Sequence, residues 1–120
     1  MILAAVDDFL FRSKIRATAK QAGVVVTFAK TSAELLEQAR SLKPSLVIFD
    51  LNSATLEPIE TIAAMKKDAA LANIRTLGFV SHVDAARIHA ARAAGADDVM
   101  ARSAFAGQLG DILLTAGIEP

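Results

Sequence analysis

The sequence predicts an α/β domain built on a doubly wound, five-stranded parallel sheet, and three observations predict it. Five short apolar runs are spaced along the chain. The segments between them place apolar residues at helical spacing. Two of the runs, Ile2–Val6 and Leu46–Phe49, are apolar without interruption. A strand that reads as a continuous hydrophobic run is one covered on both faces, as happens when helices flank a parallel sheet.

In chain order, the first strand is Ile2–Val6, and the helix after it carries Phe11, Ile15, Ala19 and Ala22 on one stripe before Gly23, a C-terminal cap. The second strand is the valine-rich run Val24–Phe28. Its helix opens with Thr31-Ser32-Ala33-Glu34, a capping-box pattern, turns Leu35, Leu36 and Ala39 inward, and stops before Pro44. The third strand, Leu46–Phe49, leads to a helix starting at Pro58 with Ile59, Ile62 and Ala63 on one face. The fourth, Thr76–Val80, precedes a helix that starts at Asp84, buries Ile88 and Ala91, and ends at Gly95. The fifth, Asp98–Ala101, is weak by itself and gains weight from the last helix, with Phe105, Leu109, Ile112 and Leu113 at helical spacing. Strand–helix alternation at this rhythm makes right-handed βαβ units, and five repeats suit a flavodoxin-like sheet of order 2-1-3-4-5.

Composition narrows the function classes. The 120 residues suit one domain, read as 1–120 with no output domain. They are 53% hydrophobic with 13 basic and 13 acidic side chains, so there is no basic excess for a nucleic-acid partner. There is no cysteine, hence no disulfide and no thiolate metal site. The apolar start stops at Asp7, too short for a membrane span, and a cytoplasmic location is the expectation. Met65 and Met100 read as core filler, and His82 and His89 as surface histidines, His82 lying nearer the ligand-binding edge.

Open parallel sheets bind ligands beyond the carboxyl ends of their strands, near the switch in strand order. Those ends carry Asp7 and Asp8 after the first strand and Asp50 after the third. Each also has a plain reading as a turn former, and Asp8 as a helix cap. Three carboxylates converging there repel one another, so one is expected to have a raised pKa unless a cation is bound; a hard divalent ion, Mg²⁺ first, relieves the repulsion. A small-molecule or nucleotide binder is disfavoured because no Gly-rich phosphate loop follows any strand.

Val6-Asp7-Asp8, Leu46-Val47-Ile48-Phe49-Asp50-Leu51 and Ala94-Gly95-Ala96-Asp97-Asp98 together resemble the receiver domains of two-component response regulators, over essentially the whole chain. The resemblance implies that Asp50 accepts a phosphoryl group from a phosphohistidine on a histidine kinase or phosphotransfer protein. It implies that Asp7, Asp8, Asp50 and the backbone carbonyl of Asn52 hold Mg²⁺. It also implies a downstream protein partner at the fourth helix, fifth strand and fifth helix, and leaves room for a homodimer. No enzyme activity beyond self-catalysed phosphoryl transfer is implied.

Several positions depart from the family pattern. Val80 stands where a Thr or Ser hydroxyl is usual, and strand alternation is expected to turn neighbouring Ser81 to the opposite face. Arg102 replaces a phosphoryl-neutralising Lys; it keeps the charge on a longer, planar fork and is expected to reach into the carboxylate cluster, partly standing in for the metal, against the plain reading of a solvent-facing Arg. Val99 replaces a switch aromatic. Ala54 stands for a Pro, Glu57-Pro58 for Asp-Gly, and Ser103-Ala104-Phe105 for a Pro-Phe pair whose cis bond is then in doubt. The expected function is therefore a phosphorelay receiver with weak or altered switching. Its alternative is a pseudo-receiver, an interaction module independent of phosphorylation.

Overall fold

A computed structural model describes residues 1–81 and 84–118. Its five strands, β1 (Ile2–Ala5), β2 (Val26–Phe28), β3 (Leu46–Asp50), β4 (Arg75–Val80) and β5 (Asp98–Ala101), form one sheet in the order β2-β1-β3-β4-β5. All four pairings are parallel. The helices are α1 (Phe9–Ala22), α2 (Ser32–Leu42), α3 (Pro58–Lys67), α4 (Ala85–Ala94) and α5 (Arg102–Ile118). The flavodoxin-like architecture is the one expected from the strand–helix rhythm.

Strand alternation divides the core into two layers. Leu3, Ala5, Val47, Phe49, Leu51 and Val80 pack with α2, α3 and α4 residues such as Leu35, Ile62 and Ala91. Ile2, Ala4, Ile48, Leu77 and Phe79 pack with Ile15 and Ala19 of α1 and Phe105, Leu109 and Leu113 of α5. Gly78 in β4 is required by close packing, because a Cβ there would lie 2.8 Å from the Leu51 side chain.

The expected caps form. Asp8 accepts the Phe11 N–H at 3.1 Å, Thr31 Oγ1 the Glu34 N–H at 3.0 Å, and Asp84 the Arg87 N–H at 3.0 Å. Glu34 reaches back to the Lys30 N–H at 3.2 Å, one residue before its expected partner. β2 is shorter than expected. Gly23, at φ 71°, ends α1, and the Val24 N–H bonds the Ala19 carbonyl at 2.9 Å, so the chain joins the sheet only at Val26. β3 runs one residue further than expected and includes Asp50 itself. Glu57, before Pro58, takes a left-handed conformation (φ 44°), a costly one for a residue with a Cβ. There is no cis peptide bond among the described residues, including the segment after Arg102.

Candidate functional site

Asp50 ends the central strand at the carboxyl edge of the sheet and is only 5% exposed. One of its oxygens, Oδ1, accepts the Asn52 N–H at 3.0 Å. Its carboxyl is held above the usual carboxylate value. Burial is the foremost cause; the charges of Asp7 and Asp8 add to it, and the Asn52 N–H and Arg102 oppose it. The expected raised group therefore exists, but desolvation outweighs the mutual repulsion expected to cause it.

Asp7 and Asp8 follow β1 and face different partners. Asp7 Oδ2 accepts the Ser53 hydroxyl at 2.7 Å. Asp8 both caps α1 and forms an ion pair with Arg102. Its pKa is lowered, first by the Phe11 N–H, against burial, with the help of Arg102. The three carboxylates share one edge, and Asp50 feels the charge of the other two, yet among the described residues no three His, Cys, Asp or Glu side chains are gathered closely enough to hold a metal ion as they stand.

Arg102, the first residue of α5, is not the solvent-facing side chain of its plain reading. It enters the cluster through Asp8, and its guanidinium lies over the Phe11 ring, 4.4 Å from the centroid. Phe11 in turn stacks on Phe79 at 5.0 Å, and Phe79 on Phe105 at 4.5 Å.

On the other side of Asp50 the surroundings are aliphatic. Val80 is fully buried in the α2–α4 layer, and Val99 packs against the same layer. Because β3 and β4 pair Asp50 with Phe79, Asp50 faces the α1–α5 side and Val80 the reverse. Ser81 follows the end of β4 in a bend, so strand alternation does not fix where its hydroxyl points. The Ser81 N–H is engaged, bonding Asn52 Oδ1 at 2.7 Å.

Sequence reading missed Ser53 and Arg87. Ser53 is buried, and its hydroxyl also accepts the Leu56 N–H at 3.1 Å, locking the loop after Asp50. Arg87 of α4 donates to the Leu51 carbonyl at 2.7 Å. The one available signal was position: Ser53 lies three residues past Asp50, and Arg87 in the first turn after an Asp cap. His89 is exposed, as expected of a surface histidine; His82 lies outside the described residues. Met65 is buried and Met100 packs on the α1–α5 layer, both as core filler.

Asp7, Asp8, Asp50 and the Asn52 carbonyl would offer a hard divalent ion such as Mg²⁺ the oxygen donors it prefers, with Asp8 paired to Arg102 in this structure.

A parallel sheet of this order with a buried acidic strand end defines a flavodoxin-like α/β domain; comparison makes the class specific. The model of the response regulator receiver domain family matches residues 2–113, and the chain belongs to that family. Receiver domains are signalling modules of two-component systems. Response regulator protein VraR of Staphylococcus saprophyticus is 26% identical over 89 residues, which are 74% of this chain and 42% of that protein, so the chain spans well under half of that relative. The crystal structure of a response regulator from Hahella chejuensis has a TM-score of 0.82 at 23% identity, covering 93% of this chain and 90% of that one. That of the Mn²⁺-bound form of response regulator Rcp1 has a TM-score of 0.72 at 15% identity, covering 95% and 88%. No described helix is long and apolar enough to cross a membrane.

Proposed function

We propose that this receiver domain accepts a phosphoryl group on Asp50 from the phosphohistidine of a histidine kinase or phosphotransfer protein. The observation that carries the reading is Asp50 itself: a buried carboxylate ending the central strand, with Oδ2 free of hydrogen bonds from the described residues. In the transfer, a carboxylate oxygen of Asp50 bonds to phosphorus as the P–N bond to imidazole breaks. The product is an acyl phosphate. Mg²⁺ held by Asp7, Asp8, Asp50 and the Asn52 carbonyl supplies positive charge beside the acceptor and the phosphoryl oxygens. A neighbour of this fold described as Mn²⁺-bound supports a divalent ion here. Arg102 adds a fixed cation on the same side.

Switching is weak in this reading. A fully buried Val80 has no hydroxyl to follow the phosphoryl group, and Val99 no ring to swing. The signal passes to a downstream protein through α4, β5 and α5, with a homodimer as a further arrangement of the same faces. The domain is a single unit over residues 1–120.

The test is intact-protein mass after incubation with Mg²⁺ and a small phosphodonor. The chain is expected to gain one phosphoryl group and Asp50→Asn none. An unchanged mass, together with no Mg²⁺-dependent thermal shift, overturns the reading. A thermal shift without mass gain supports instead a pseudo-receiver.

A further inference from the structure

Each carboxylate of the site has its hydrogen bonds distributed differently. Asp7 uses Oδ2 for Ser53, and Asp50 uses Oδ1 for Asn52; among the described residues Asp7 Oδ1 and Asp50 Oδ2 carry no hydrogen bond. Asp8 alone has both oxygens engaged, Oδ1 by the Phe11 N–H and Oδ2 by Arg102. An ion reaching Asp7 and Asp50 displaces nothing, whereas one reaching Asp8 meets a cation already there.

That cation has a second anchor in the Phe11 ring, which is fixed in the stack with Phe79 and Phe105. It also has a defect. Arg102 Nε is buried and has no hydrogen-bond partner while the guanidinium sits on Asp8. A guanidinium fork is satisfied by an oxyanion offering several oxygens in a plane or cone, such as a phosphoryl group, and here one carboxylate oxygen meets only part of it.

Resting on the metal-site reading above, we propose that Arg102 is a built-in competitor of the divalent ion: it holds Asp8 in the resting chain, and is released from Asp8 when the ion binds. The two cations exclude each other at Asp8, so by linkage whatever strengthens one weakens the other. Release puts a stacked but unpaired guanidinium beside Asp50, with an unsatisfied N–H to offer. Arg102 is in this sense a positioning residue for the metal and an anion contact in turn.

The experiment titrates Mg²⁺ into the metal-free full chain by calorimetry, comparing wild type with Arg102→Met and Arg102→Lys, and follows the Arg102 Nε–Hε resonance by NMR. Arg102→Met is expected to bind Mg²⁺ about three- to tenfold more tightly, the range open to a partly exposed, stacked ion pair. Arg102→Lys, which keeps the charge without the fork or the planar stack, falls between. In the wild type the Arg102 resonance shifts as Mg²⁺ binds. Equal affinity in wild type and Arg102→Met, or Mg²⁺ binding with an unmoved Arg102 resonance, overturns the competition while leaving the metal site standing. Absence of Mg²⁺ binding in every form overturns the metal-site reading itself. Should Arg102→Met fail to fold by circular dichroism, the wild-type resonance decides alone.

Discussion

Two aspartates at opposite ends of the sheet receive opposite treatment. Asp50 ends β3 at the carboxyl edge; Asp97 precedes β5 at the amino edge. Burial alone pushes both carboxyls up. At Asp97 the Thr76 N–H (2.8 Å), the Lys66 ammonium (3.0 Å) and the Thr76 hydroxyl (3.1 Å) all donate to Oδ2, and together they hold the pKa below the usual value. Asp50 has a single N–H and two like charges nearby, and stays raised. The left-handed residue beside Asp97 is Gly95, which tolerates it; Glu57, in the loop after Asp50, and Lys43, at the end of α2, take the same conformation with a Cβ to accommodate. Asp97 is a closed knot that holds β4, β5 and α3 together. Asp50 is a carboxylate kept short of donors, with Oδ2 free of hydrogen bonds from the described residues.

The largest expected effect tests the knot. Thr76 is fully buried, and its hydroxyl both donates to Asp97 and accepts the Asp97 N–H at 3.1 Å. Thr76→Val should destabilise the fold by about 1–3 kcal/mol in urea titration, since it removes a buried hydroxyl that both donates to the Asp97 carboxylate and accepts its N–H. A loss within error would show that the knot is ornamental.

The next pair of variants turns the comparison into opposite pH signatures, measured without metal. Asp50 is raised in the folded chain, so folding is favoured while the group is neutral, and stability falls as pH rises from the unfolded carboxylate value through the folded one. Asp50→Asn should therefore gain about 0.5–2 kcal/mol at pH 7, a gain that fades toward pH 3. Asp97 is lowered, so its contribution is present above the unfolded value and disappears as pH falls through the folded one. Asp97→Asn should lose stability at pH 7 and converge on wild type in acid. Parallel pH curves for the two variants would erase the distinction. The smallest effect concerns strain: Glu57→Gly should stabilise by up to about 1 kcal/mol in thermal unfolding, and a destabilised variant would place no strain at that end.

The architecture was readable because it rests on local chemistry. Periodicity, the caps at Asp8, Thr31 and Asp84, and the glycines at 23 and 95 act within a few residues of each element they shape. Asp50 was readable because an uninterrupted apolar run delivers it to the sheet edge. The remainder is built across the chain. Ser53 meets Asp7 at a separation of 46 residues, Arg87 meets Leu51 at 36, Lys66 meets Asp97 at 31, and no periodicity encodes such pairings. Which face of β4 Asp50 shares is hidden for a related reason: it depends on the register of two strands.

Val80 carries a consequence for any attempt to put a hydroxyl at this position. It packs in the same layer as Phe49, Leu51 and Ala91. Val80→Thr keeps the outline of the side chain but sets a polar group in an aliphatic layer, where it costs stability until it finds a hydrogen-bond partner.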